Sequence, residues 1–189
     1  RARLDGVAHS IGDRIRDRLA VYDDMMLGTV GLFAASEEVT AQEFHAYVDR
    51  LDITGRYPGI QGIGFSARIP AADKERFEEN QRRLTPEFTV WPKHERDEYH
   101  AIVYIEPLDR RNRATLGFDM YSKDEQRAAM DRARDSAQPA ATSKVTLVQE
   151  FDRHKQPGFL IYVATYAGGV TPPTVEARRA ALQGFVYSP

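Results

Sequence analysis

"GFLIYVATYAGGVTPPTVEARRAALQGFVYSP", Gly158 to Pro189, is the stretch that decides the fold. "GFLIYVATY" is rich in aromatic and β-branched residues, the composition of a buried strand. Gly-Gly and Pro-Pro then interrupt the chain. Thr174 can cap a helix that runs through "VEARRAAL" and is stopped by Gly184. "FVYS" opens one more strand. Short strands broken by one helix at a time imply an α+β domain on a mostly antiparallel sheet.

The rest of the chain reads in the same way. "KVTLVQEF" is a strand, joined to "GFLIYVATY" by the polar loop "DRHKQPG" as a candidate hairpin. Upstream of it, Ser122 and Glu125 have the spacing of a capping box, and Ala129, Ala133 and Ala137 give that helix a small-residue face. "RATLGFDM", "AIVYIEP" and "EFTVW" read as strands, the last with Phe88 and Val90 on one face. "ADKERFEENQRR" reads as a charged helix anchored by Phe77. In "RYPGIQGIGFSARIP", Pro58 and Gly59 end a helix, and Ile63, Phe65, Ala67 and Ile69 alternate as a half-buried strand. Before it, Ser36 or Thr40 caps a helix with the stripe Phe44, Tyr47, Val48 and Leu51.

The first thirty-odd residues form one long amphipathic helix. Leu4, Val7, Ile11, Ile15, Leu19, Tyr22, Met26, Val30 and Phe33 recur at a mean step of about 3.6, the helical period. The stripe either packs on the body of the domain or also pairs with its twin in a homodimer. Residues 1–35 are therefore a stalk or dimerisation helix, and residues 36–189 a separate lobe.

Composition narrows the function. With 42% hydrophobic residues among 189, the chain can build a core. The net charge of −2 (26 Lys and Arg, 28 Asp and Glu) argues against a general nucleic-acid binder. The absence of cysteine removes disulfides, thiolate metal sites and Cys nucleophiles. The five histidines are scattered, with no HExxH, so no metal site is expected. No GxSxG, phosphate loop or GxGxxG is present, so neither an enzyme nor a cofactor is expected from this chain.

One charged knot remains. "ERDEYHAIVYIEP", Glu95 to Pro107, sets Arg96, Asp97 and Glu98 directly before an apolar run. An acid at a strand entrance can be half of a catalytic pair, a solvated turn, or a hydrogen-bond acceptor at the mouth of a pocket. Tyr99, Tyr104, Phe118 and Tyr162 are candidate walls for such a pocket.

From Tyr57 to Pro189 the order and wording of the segments resemble the CHASE domain, the cyclase- and histidine-kinase-associated extracellular sensor. The resemblance rests on "YPGIQGIGFSARIP", "ERFEENQR", "RDEYHAIVYIEP", "NRATLGFDMYSKDEQRAAMDRARDSAQPAATSKVTLVQE", "GFLIYVATY" and "TVEARRAALQGFVYSP". It implies a long stalk helix followed by PAS-like lobes outside the cytoplasmic membrane, between two transmembrane helices. One such lobe, the membrane-distal one, is expected in this chain. The implied ligand is a small molecule, adenine-like or amine-bearing. The implied output, in the full-length membrane protein, is a sensor histidine kinase or a diguanylate cyclase. By analogy with plant cytokinin receptors, the resemblance makes Asp97 and Leu116 to Phe118 ligand-binding positions, with Thr142 near them. Where the family usually has proline-valine-tyrosine, this chain has "VATY", with Ala164 and Thr165 as the odd residues.

Overall fold

The computed structural model describes residues 2–146 and 157–189. Helix α1 spans Ala2–Ala34 and is followed by α2 (Ala41–Leu51) and the single turn α3 (Ile53–Arg56). Thr40 caps α2: its hydroxyl accepts from Glu43 N, and the Glu43 carboxylate accepts from Thr40 N, a full capping box. Thr40→Ala is expected to cost about 1 kcal/mol in urea unfolding, the usual loss for such a cap. The helix ends at Asp52, whose positive φ of 50° turns the chain, six residues before Pro58.

The remaining elements are β1 (Ile63–Pro70), α4 (Lys74–Arg82), β2 (Glu98–Glu106), α5 (Arg110–Arg113), α6 (Asp124–Ser136), β3 (Ala140–Ala141), β4 (Val145–Thr146), β5 (Pro157–Gly158), β6 (Ile161–Tyr166), α7 (Val175–Ala181) and β7 (Leu182–Ser188). Five strands form one sheet in the order β2-β1-β7-β6-β3, with every pairing antiparallel. The fold is α+β, a long N-terminal helix leading into the antiparallel, PAS-like lobe that the sequence implied.

Helices cover both faces of the sheet. On one face Tyr22, Met25 and Met26 of α1 and Phe44 and Val48 of α2 bury against Ile63, Phe65, Val163 and Val186. On the other, Ala129, Met130 and Ala133 of α6 bury against Ile102, Tyr162, Ala164, Phe185 and Tyr187. The alanines allow α6 to lie close to β6, as their spacing suggested. Because both faces are covered, Ile63 to Ser66 are buried in succession and all six residues of β6 are buried. The half-buried pattern expected for β1 is thereby corrected. Alternation along β1 is real, but both sides of its first half meet protein.

Other local expectations also change. "RATLGFDM" is not a strand. Asp109 caps the turn α5 through Asn112 N, and Gly117 then takes a positive φ of 79°, which breaks an extended run. "EFTVW" forms no ladder, although Phe88 and Val90 do share a core with Ile69, Tyr99 and Ala101. Phe77 is only partly buried beside that core. The deeper anchor of α4 is Glu78, which binds Lys74, Arg82 and Val90 N. Ser122 makes no cap; Lys123 holds the N-cap position of α6. Gly184 lies inside β7, where a Cβ would meet the Phe65 ring and the Ser66 carbonyl, and α7 ends at Ala181. The expected hairpin is seen only as the short β4–β5 pair, and its loop lies outside the described residues.

Candidate functional site

The segment from Leu116 to Ser122 builds one wall of the candidate site. Gly117 N donates to Ile102 O at 2.8 Å, and Ile102 N donates to Phe118 O at 3.1 Å, so the segment is laced to β2. On its other side Trp91 N donates to Gly117 O at 3.0 Å, and Trp91 Nε1 donates to Leu116 O at 2.9 Å. This lacing drives Asp119 inward, where it is fully buried. Its Oδ1 accepts from His100 N at 2.9 Å and Tyr121 N at 3.1 Å. Its Oδ2 lies 3.4 Å from Arg96 Nε and 3.3 Å from His94 Nε2. The Arg96 contact is charge attraction and not an aligned hydrogen bond, and Arg96 Nε donates instead to His94 Nε2.

Beneath α6 the sheet carries a row of rings. Tyr121 lies 3.9 Å from His100, His100 5.3 Å from Phe185, Phe185 6.2 Å from Tyr162, and Tyr162 6.3 Å from Tyr187, centroid to centroid. Gly64 makes the end of this row possible, since a Cβ there would meet the Tyr187 ring at 2.6 Å. Ser66 Oγ, Gln126 Oε1 and Tyr162 OH are buried with no hydrogen-bond partner on the protein, while His100 has the Glu98 carboxylate at 3.5 Å and the Tyr187 hydroxyl has Thr115 beside it. Buried polar groups are ordinarily paired, and each unpaired one costs about 1–3 kcal/mol. Internal water or a bound ligand is what ordinarily satisfies such groups.

Charge at the edge of this interior is compensated. The His100 imidazole, 3.5 Å away, and the Arg68 guanidinium, at 2.6 Å, hold the Glu98 carboxyl down to about 2 against its partial burial. Burial pushes His100 below its ordinary value, outweighing the nearby carboxylates of Glu98 and Asp119, so its imidazole is neutral at pH 7. Both shifts act in one direction. The unfolded chain binds more protons than the folded one, so stability falls with pH. The loss begins below the ordinary histidine value near 6.5 and continues below 4.5, as Glu98 is protonated toward 2. Urea midpoints taken from pH 7 to pH 3 should decline in these two stages. Glu98→Gln should shrink the second stage without abolishing it, because Asp135, Glu78 and Glu43 are also held below their ordinary values.

The expected site residues divide among three places. Phe118 and Tyr162 lie in the core beneath α6, with Leu116 packed against it. Thr142 borders that core: its Oγ1 accepts from the backbone N of buried Leu160 at 3.0 Å. Tyr99 is buried in the small core near α4, where its hydroxyl donates to His94 O at 3.0 Å. Tyr104 lies on the α1–α2 face, stacked on Phe44, with its hydroxyl donating to Val39 O at 2.8 Å. Asp97 is exposed just ahead of β2, and its carbonyl accepts from Ala71 N. Ser66, His100, Asp119, Gln126 and Tyr187 were not singled out from the sequence. A histidine alternating with apolar residues in "YHAIVY", and an acid inside "LGFDM", were the signals available.

Two concavities lie away from this interior. One of about 150 Å³ is lined by Val48, Asp49, Asp52, Ile53, Glu106 and Pro107, with His45 paired to Glu106 at 3.2 Å. The other, of about 510 Å³, runs along α1 between Ile11, Ile15, Tyr22 and Phe159. Among the described residues, no three or more His, Asp or Glu side chains gather so as to hold a metal ion. Also among them, no helix is long and apolar enough to cross a membrane.

An antiparallel sheet covered on both faces by helices, behind a long N-terminal helix, defines an α+β domain. Residues 37–189 match the family model described as the CHASE domain, and the chain belongs to that family. CHASE domains are sensory and non-catalytic, and they are typically extracytoplasmic. No curated protein is similar enough to the chain to count as a relative.

Proposed function

We propose that the chain is the ligand-sensing part of a membrane-bound receptor, placed on the periplasmic or extracellular side. It binds a small molecule and signals to a histidine kinase or diguanylate cyclase through movement of α1 and a dimer partner. The observation that carries this reading is the group of unpaired polar atoms beneath α6. In this reading Leu116, Phe118 and Thr142 border the ligand and Asp97 accepts a hydrogen bond at the rim. Tyr99 and Tyr104 brace β2 from its other side. Residues 36–189 act as the sensor lobe, with residues 1–35 as the stalk.

The dimer reading draws on α1. From Tyr22 onward the apolar stripe packs on the chain's own lobe, whereas Ile11 and Ile15 are 52% and 55% exposed. That exposure also supports a second reading, a dimerisation or partner-docking module that binds no ligand. A thermal-shift screen with adenine derivatives, amines and peptides separates the two, since a ligand raises the melting temperature with its concentration. A concentration-dependent rise that Asp97→Ala abolishes supports the full reading. A rise that survives Asp97→Ala removes Asp97 from the site. A dimer that crosslinks through Ile11→Cys or Ile15→Cys, with no compound raising the melting temperature, favours the module. Signalling requires that ligand favour one state of the dimer; crosslinks indifferent to a bound ligand would end that part.

A further inference from the structure

The C-terminal end of α1 meets the sheet at a third, smaller concavity of about 40 Å³, bordered by Phe33, Ala34, Thr165, Gly169, Thr171 and Gln183. We propose that this concavity binds one monovalent metal cation of sodium or potassium size, held by the Thr165 hydroxyl and the carbonyl end of α1. Thr165 lies on the side of β6 turned away from α6. It alternates with Ile161 and Val163, and both of those bury against the α1 face. The site is thus separate from the interior beneath α6 and does not depend on it.

Two independent features converge there. The first is Thr165 itself. It is 2% exposed, and its Oγ1 has no hydrogen-bond partner on the protein. Buried hydroxyls are ordinarily paired, so an unpaired one beside a concavity calls for a partner within it. Thr165 is also one of the two residues that set "VATY" apart. The second is the helix end. The last carbonyls of a helix have no intrahelical partner, and together they carry about half a negative charge. No basic residue stands in the last turn of α1 to offset it. Among the described residues no hydrogen bond reaches the Ala34 carbonyl, and Phe33 O accepts from Ser36 N only at 3.5 Å. Gly169, at a positive φ of 68°, lets the β6–α7 loop close on this end, where a Cβ would meet the Ala34 carbonyl oxygen at 2.5 Å.

The lining sets the class of ligand. No charged side chain borders the concavity. Carbonyl, hydroxyl and amide oxygens can replace the hydration shell of an alkali cation. Calcium and magnesium are bound chiefly through carboxylates, and none is present here. An anion would face the negative end of α1. The volume of about 40 Å³ exceeds the roughly 10–15 Å³ that one water needs, yet is far below the roughly 300 Å³ of a small-molecule pocket. It suits a single ion. Bound there, the ion ties the end of α1 to β6 and to the loop that follows, at the joint between α1 and the lobe.

The test melts the 189-residue chain in the chlorides of lithium, sodium, potassium, caesium and choline at one ionic strength. An ion that binds the folded state raises the melting temperature, so about 100 mM of the preferred one should add roughly 2–4 °C over choline and then saturate. Sodium or potassium should give the largest rise. Thr165→Val keeps the shape and removes the oxygen, and should lose the difference between the alkali salts and choline. Thr165→Ser keeps the oxygen and should retain it. Equal melting temperatures in choline and in every alkali salt would mean that water alone occupies the concavity, which overturns the site. A largest rise in lithium or caesium overturns the ion size. A rise that survives in Thr165→Val overturns the location. If the valine chain does not fold, Thr165→Ala takes its place in the same comparison.

Discussion

Asp119→Ala is expected to lower the unfolding free energy by about 3–5 kcal/mol, the usual cost of removing one partner from a buried charge pair. The carboxylate is fully buried, accepts from His100 N and Tyr121 N, and faces the Arg96 guanidinium at 3.4 Å. Removing it strands two backbone amides and unpairs Arg96 in a site only partly open to water. Asp119→Asn keeps one acceptor for the amides and gives up the ion pair, so its loss should fall between zero and that of alanine. Urea unfolding of the three proteins orders them. An alanine variant within 0.5 kcal/mol of the parent would show that Asp119 is not what joins the 116–122 segment to β2.

Gly117→Ala should cost roughly 2–5 kcal/mol, combining a left-handed backbone, about 1–2, with overpacking, about 1–3. The positive φ of 79° alone disfavours any side chain, and a Cβ there would overlap the Thr89 carbonyl oxygen. Relief would require the 88–91 stretch and the 116–119 stretch to part, breaking the Trp91 N to Gly117 O bond. Trp91 is the sole tryptophan, and its indole donates to Leu116 O. Its fluorescence should therefore shift toward that of a solvated indole before global unfolding. Unchanged fluorescence with a normal midpoint would refute the close approach.

Both changes fall in "LGFDM", and that stretch shows where the sequence is legible and where it is not. Read locally, it has strand composition, and Phe118 was expected at the site. Nothing local announces that Gly117 must turn left-handed, because the cause is the Thr89 carbonyl, distant along the chain. The capping signals behave likewise. Thr40 and Glu43 close a box because nothing competes for them. Ser122 and Glu125 do not, because Asp119 draws Tyr121 N into its own turn and Lys123 takes the cap position. Asp97 drew attention for its charge and its place before an apolar run, yet it lies exposed at the entrance of β2. The acid that is fully buried against β2 is Asp119.

The sequence by itself determined the long amphipathic helix, the strands β1, β2, β6 and β7, the α+β class and the CHASE resemblance. Each follows from short-range periodicity or from words in a fixed order, which need no knowledge of neighbours. Only the tertiary structure decided which residues line the interior beneath α6. Alternation tells which side chains share one side of a strand. It does not tell which side faces which helix. That follows from the order β2-β1-β7-β6-β3, which brings Ser66, His100, Tyr162 and Tyr187 onto one face from opposite ends of the chain.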